Sequence, residues 1–251
     1  MNKVTRLKYY IESLCIYDFE DDDVFSALYD LLCDDEEDTV ALQSYFFKEL
    51  AKSESLKRHI SRLILTNDNI FTKAACAGKV NQLSIAVINA VKSDLAKLEE
   101  IASLTAQDIL ADIDDEDIKE ILLTLPGWEV GKPLAPLDSH WDRQLDELIK
   151  YHRENGYGIY AKNIAFTWRD EEITPVNSID PIRLTDLKNY ELQRNKVIDN
   201  TESFIAGHPA NNVLLYGDRG TGKSSTVHAI LNEYWPVSYT HLRAHETTLH
   251  L

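Results

Sequence analysis

Asn212-Val213-Leu214-Leu215-Tyr216 runs directly into Gly217-Asp218-Arg219-Gly220-Thr221-Gly222-Lys223-Ser224-Ser225, and this junction decides the fold. The first five residues form a short apolar run of the kind found in a buried parallel strand. The next eight satisfy G-x-x-x-x-G-K-[ST], the Walker A pattern, completely. Val227, Ile230 and Leu231 then recur at helical spacing and predict a helix over 225–234 that buries them. Strand, glycine turn and helix in that order are the context the pattern requires, which an ordinary glycine turn would lack.

The spacing has a physical reason. A bound polyphosphate needs several N–H donors converging on it. Glycines let the backbone turn and approach the oxygens with no Cβ in the way. A helix that starts near Gly222 aims unpaired amides and a positive dipole end at the same place. Lys223 supplies a mobile charge for the β- and γ-phosphates, and the Ser224 hydroxyl is the candidate Mg²⁺ ligand. Asp218 and Arg219 at the loop tip contribute mainly backbone. The expected ligand is ATP with Mg²⁺, held by Gly217, Asp218, Arg219, Gly220, Thr221, Gly222, Lys223, Ser224 and Ser225.

Working outward, residues 181–187 read as an extended lead-in. Residues 188–206 read as a helix with Leu192, Val197, Ile198 and Ile205 available for burial, closed by Gly207 and Pro209. Upstream, residues 126–180 form a connector that begins with Pro126, Gly127, Gly131, Pro133 and Pro136. It holds a helix over 141–155 and, across 159–168, one strand or a small hairpin rich in aromatic and β-branched residues. Tyr160 and Trp168 could stack on a ligand, but core packing is the better reading for aromatics in a strand.

Residues 1–125 read as consecutive helices. Val4, Leu7, Ile11 and Leu14 share one face, and similar spacing recurs in Val24, Leu28, Leu31 and Leu32 and in Leu56, Ile60, Leu63 and Ile64. The stretch 80–91 is apolar on most sides and predicts a buried helix. A last helix begins among residues 114–117 and ends at Pro126-Gly127. No internal repeat is visible. Such a bundle shows no chemistry of its own, and its expected role is packing and contact with a protein partner.

The net charge is −16, with −13 in residues 1–170 and −3 in residues 171–251. That surface repels nucleic-acid phosphates and argues against a nucleic-acid partner. The acidic runs at 21–23 and 34–38 lack the alternating ligands and central glycine of a calcium loop, so they read as solvated helix ends. Cys15, Cys33 and Cys76 form no metal-binding spacing and read as reduced, partly buried thiols. No apolar run is long enough to span a membrane, and the N-terminus lacks a secretory signal, so a cytoplasmic location is expected.

The motif with its flanks resembles the AAA+ form. The preceding Asp180-Pro181-Ile182-Arg183-Leu184-Thr185-Asp186-Leu187, followed by Tyr190-Glu191, looks like the AAA+ segment that lies over the adenine. More narrowly, residues 180–235 resemble an uncharacterised bacterial AAA+ family, domain of unknown function 815. Its members place a long helical region before a single ATPase domain. By this resemblance, the residues from Gly217 to Ser225 hold ATP and Mg²⁺, residues 182–190 flank the base, and the intact protein works as a homo-oligomer. The expected fold is mixed: an all-α helical region (1–125), the connector (126–180), and the start of an α/β P-loop NTPase domain of AAA+ type (181–235), left incomplete.

The incompleteness is itself an expectation. An AAA+ ATPase needs a second strand ending in acidic residues, a polar sensor, and usually an arginine acting on a neighbouring subunit. All of these lie after the P-loop, and the residues after Ser224 contain no such strand. Val237-Ser238-Tyr239-Thr240-His241-Leu242-Arg243-Ala244-His245-Glu246-Thr247 can be written as GTC TCT TAT ACA CAT CTC CGA GCC CAC GAG ACn, which resembles a transposase adaptor used in sequencing libraries. Residues 236–251 are therefore expected to be a non-native tail, and His241, His245 and His250 are not read as metal ligands. An independent library encoding 237–247 at this locus would refute that reading. A strand at 212–216 without sheet neighbours predicts poor order around it. Two functions fit: an AAA+ ATPase whose present chain hydrolyses little, or a nucleotide-responsive partner-binding protein. A guanine-nucleotide switch would need an N-K-x-D segment, which is absent.

Overall fold

A computed structural model describes residues 1–34, 38–53, 55–163, 165–169, 172–176 and 178–242. The chain divides into two units, residues 1–152 and 153–251.

The first unit is helical. It contains α1 (Lys3–Glu12), α2 (Asp23–Cys33), α3 (Thr39–Leu50), α4 (Leu56–Leu65), α5 (Ile70–Cys76), α6 (Ile85–Ile101), α7 (Ala106–Leu110), α8 (Glu116–Leu122) and most of α9 (Leu145–Asn155). Polar residues start these helices. Asn2, Asp22, Ser55, Asn69, Ser84, Thr105 and Asp115 each accept a backbone N–H of the following first turn. The acidic stretches thus do cap helices at Asp22 and Asp115. Asp34 also accepts from the Asp38 amide and the Thr39 hydroxyl, while residues 35–37 lie outside the described residues.

The apolar stripes meet in one core. Leu7, Leu28, Phe46, Ile60, Leu95 and Trp141 are fully buried in it. Phe46 meets Trp128 edge-on at 4.9 Å, and the Trp128 indole N–H donates to the Leu104 carbonyl. The proline- and glycine-containing stretch after α8 therefore packs as part of this core. It also pairs with α4, whose Leu56 and Lys57 amides donate to the carbonyls of Glu129 and Val130. At its far end the Glu99 carboxylate accepts the amides of His140 and Trp141. His140 is left-handed there (φ 54°), and Glu99 fixes the turn that delivers Trp141 to the core.

One expectation for this unit is corrected. The stretch 80–91 is a short 3-10 turn (80–82) followed by the first half of α6, and that half is largely exposed, with Ile85 80% accessible. Burial starts at Val91 and continues through Asp94, Leu95, Leu98 and Ile101, where α1 and the 141–143 turn cover the helix. Apolarity in 80–91 was not enough; what covers a helix is decided by segments remote in sequence.

Asp94 is the buried acid of this unit. Its Oδ2 accepts the amides of Cys15, Ile16 and Tyr17 at 2.9, 2.7 and 3.3 Å, closing the turn after α1. Lys97 stands 3.7 Å from its other oxygen and donates to the Ser13 carbonyl. Among the cysteines, Cys33 and Cys76 are partly buried, but Cys15 in this turn is exposed.

The second unit contains α10 (Gly158–Lys162), β1 (Phe166–Arg169), β2 (Glu172–Pro175), α11 (Glu191–Ile205) and α12 (Lys223–Leu242). The hairpin exists, but it is placed later than the 159–168 reading put it. β1 pairs antiparallel with β2, Thr167 facing Thr174, and residues 158–162 are one turn of helix. Gly156 (φ 85°) and Gly158 (φ 54°) turn the chain into that helix, and Tyr160 packs on Phe166 at 5.2 Å and Tyr157 at 5.9 Å. Tyr160 is thus a packing residue. The side chain of Trp168 lies outside the described residues.

The run 212–216 is not a strand. Among the described residues none of the five makes a backbone–backbone hydrogen bond, and Val213, Leu214 and Tyr216 are exposed. A central strand needs neighbours on both sides, and β1 and β2 pair only with each other. The same lack of cover leaves Leu192, Phe204 and Val227 exposed; Val197, Ile198, Ile205, Ile230 and Leu231 are only half-buried, and among the described residues of this unit Ala229 is the buried hydrophobic one. The structure is thus mostly helical with one two-stranded sheet, and it contains no parallel sheet among the described residues.

Helix α12 runs past the predicted end at 234 to Leu242, through Pro236. Proline has no N–H to offer the carbonyl four residues back, which is that of Asn232. Arg183 takes it instead, donating from Nη1 at 2.8 Å. The Asn232 side-chain amide in turn donates to the carbonyls of Asp180 and Ile182 at 2.8 and 2.9 Å. The lead-in is thereby fastened along α12.

Candidate functional site

The glycine-rich loop carries the backbone its residues imply. Gly217, Gly220 and Gly222 have φ of 137°, 84° and 80°, a region that costs an L-residue roughly 1–2 kcal/mol. At Gly220 and Gly222 an added Cβ would meet open space, so torsion and not crowding calls for glycine. Helix α12 begins at Lys223, immediately after the loop, which places its first free amides beside Gly222. Thr226 fastens the loop's end, its amide and hydroxyl both reaching the Gly222 carbonyl at 2.8 Å.

The Lys223 ammonium reaches back across the loop. It donates to the carbonyls of Gly217 and Asp218 at 2.9 and 2.6 Å and to Thr221 Oγ1 at 3.3 Å. Thr221 Oγ1 itself donates to the Asp218 carbonyl at 2.9 Å. The charge therefore sits over the turn that the glycines create. A phosphate oxygen entering the loop would exchange these neutral carbonyl partners for an anionic one, which makes the stronger hydrogen bond.

A cleft of about 570 Å³ opens beside the loop. Such a volume lies in the range of roughly 300–1,000 Å³ typical of small-molecule sites. Gly217, Asp218, Thr221, Gly222, Lys223 and Thr226 form one wall, with residues 213–216 beside them. Arg219, Gly220, Ser224 and Ser225 do not line it; Ser224 is exposed on the first turn of α12. The opposite wall is the end of the lead-in and the start of α11, including Leu187, Tyr190 and Arg194. Of the segment 182–190, residues 187–190 reach the cleft, whereas Ile182 is held on α12.

That wall has an unusual backbone. Asn189 and Tyr190 are consecutive left-handed non-glycine residues, with φ of 65° and 53°. Such strain persists where neighbouring structure fixes it. Here Arg194 does so, donating from Nη1 to the Leu187 carbonyl at 2.6 Å while its amide bonds the Tyr190 carbonyl. On the other side, Asn200 holds the start of the apolar run through paired 2.9 Å bonds with the amide and carbonyl of Asn211. The lining carries Lys188, Arg194, Lys196 and Lys223 against one acid, Asp218. In a chain of net charge −16 this is a local reversal of sign. Sequence reasoning identified Lys223 but missed the other three cations, which follow no motif and join the site only because α11 folds over the loop.

No cluster of residues suited to a metal ion occurs among the described residues, and no helix among them is long and apolar enough to cross a membrane. Comparison with curated proteins and with solved structures gave no significant match. Residues 161–249, covering the hairpin, the lead-in, α11, the loop and α12, match the family described as "Protein of unknown function (DUF815)". About a third of the chain, the part that carries the glycine-rich loop, is therefore similar to this uncharacterised family.

Proposed function

We propose that the chain binds ATP at the cleft between the glycine-rich loop and α11, and that residues 181–235 are the beginning of a P-loop NTPase domain of AAA+ type. The observation that carries this reading is the cleft, where the positive-φ Gly217 and Gly222, the Lys223 ammonium and the first turn of α12 meet a basic opposite wall. In this reading the loop amides and Lys223 hold the β- and γ-phosphates, and Ser224 ligates Mg²⁺. Tyr190, exposed on the far wall, offers a ring face to the base.

Turnover is a separate matter. Hydrolysis needs an acidic group to position water and metal, and among the described residues Asp218 is the one carboxylate lining the cleft. We therefore read this chain as an ATP binder with weak or no hydrolysis, whose acidic helical unit contacts a protein partner in the cytoplasm.

The test is calorimetric titration of the purified chain with Mg-ATP. Lys223→Ala is expected to weaken binding by about ten-fold or more, the worth of a charge-assisted contact. Equal affinity in the two proteins would refute the reading. ATP turnover that Lys223→Ala abolishes would refute the low-hydrolysis part alone.

A further inference from the structure

Of the three cleft cations that motif reading leaves unassigned, Lys188, Arg194 and Lys196, Arg194 is the one held in place. It follows Tyr190, the residue before α11, by four residues; Arg194 and Val197, three apart, share one face of α11, and all three residues line the cleft. Lys188 and Lys196 are exposed, whereas Arg194 is half-buried. Solvent screens exposed ammonium groups strongly and a partly buried guanidinium less.

Arg194 is also positioned in advance. A guanidinium has five N–H donors in a planar fork. Among the described residues the Arg194 side chain makes one hydrogen bond, from Nη1 to the Leu187 carbonyl. That bond spends one donor, fixes the plane and leaves the rest of the fork for an anion. The carbonyl it uses belongs to the turn just before the left-handed pair at Asn189 and Tyr190, so the wall and its cation are held together.

We propose that Arg194 is a second phosphate-binding residue, acting across the cleft from Lys223 and from the same chain. The proposal rests on the ATP-binding reading above. Lys223 and the loop amides hold the polyphosphate from below; Arg194 closes on it from the α11 side. With Arg194 and Lys223 both lining the cleft, the site suits a ligand that carries more than one phosphate group. It would also draw α11 toward α12 when the ligand enters.

The test uses the full chain and two ligands, Mg-ATP and inorganic tripolyphosphate, titrated into wild type, Arg194→Gln, Arg194→Lys and Lys223→Ala. Arg194→Gln is expected to weaken both ligands by a similar factor, about ten-fold or more, and Arg194→Lys to restore part of the loss. If Arg194→Gln weakens ATP but not tripolyphosphate, Arg194 serves the nucleoside and the proposal is wrong. If Arg194→Gln binds both as wild type does while Lys223→Ala loses both, the proposal fails and the ATP-binding reading stands. If wild type and Lys223→Ala are indistinguishable, the reading itself fails. Should Arg194→Gln not fold, wild-type affinity in Arg194→Lys overturns the proposal, because lysine keeps the charge without the fork.

Discussion

Tyr17 is buried beside Asp94, and among the described residues its hydroxyl has no hydrogen-bond partner. Burial first, and then the negative charge of Asp94, push its ionisation far above the usual tyrosine range, so the group stays a neutral O–H. A buried hydroxyl without a partner is a cost, and removing it leaves nothing else unpaired. Tyr17→Phe should therefore leave stability unchanged or raise it by up to about 1 kcal/mol, read from the urea midpoint. A loss above about 1 kcal/mol would show that the hydroxyl has a partner. Asp22 presents the opposite case. Burial raises its pKa, but hydrogen bonds from His59 Nε2 at 2.7 Å and from the Phe25 amide outweigh this and hold it below the usual carboxylate range. A depressed folded-state pKa gives stability that is full above the unfolded value, near 3.9, and is lost as pH falls through the folded one. Asp22→Asn should thus be less stable than wild type at neutral pH, with the gap narrowing below about pH 4 in paired denaturation curves. A gap that stays constant down to pH 2 would exclude this origin.

At the scale of elements, legibility follows how local the cause is. The stripes of α1, α2 and α4 and the caps at Asp22 and Asp115 could be read from spacing because a helix satisfies its own backbone. The loop 217–222 could be read for the same reason: its glycines answer local torsion. The strand at 212–216 could not form from its own sequence, because a ladder needs a second chain segment. The exposure of the front of α6 and the arrival of Arg194 opposite Lys223 were likewise invisible, since both depend on remote packing. Where a ladder is missing, side chains substitute. Asn200 holds Asn211 by two bonds, in the manner of a strand neighbour. Each is worth about 0.5–1.5 kcal/mol at most. Asn200→Ala should speed limited proteolysis within 207–216 several-fold while leaving helical circular dichroism unchanged. Unaltered cleavage would mean that the run is held elsewhere.

At the scale of the molecule, the two units differ in how they are held together. Residues 1–152 have an extended apolar core, with Trp141, Phe46 and many aliphatic side chains out of contact with water. In residues 153–251 the polar fastenings made by Arg183, Asn200 and Asn232 stand where burial is sparse. Elements joined by exposed hydrogen bonds open at low free energy, whereas a packed core opens only near the global limit. The expected helical region and the expected loop were therefore both legible as pieces, while the sheet that would join the second unit into a core was not supplied by β1 and β2.

The apolar run 213–216 lines the cleft beside the loop. Leu214 and Tyr216 are 83% and 88% accessible, and among the described residues the backbone between them makes no backbone–backbone hydrogen bond. That is a template on which another copy of the same segment can add as a neighbouring strand, so the protein should self-associate as its concentration rises. A charge at such a position opposes edge pairing without disturbing any core. Leu214→Lys is expected to keep the wild-type melting temperature and to stay monodisperse in light scattering at concentrations where wild type grows in apparent mass. Wild type that remains monodisperse throughout would show that this bare segment does not nucleate assembly.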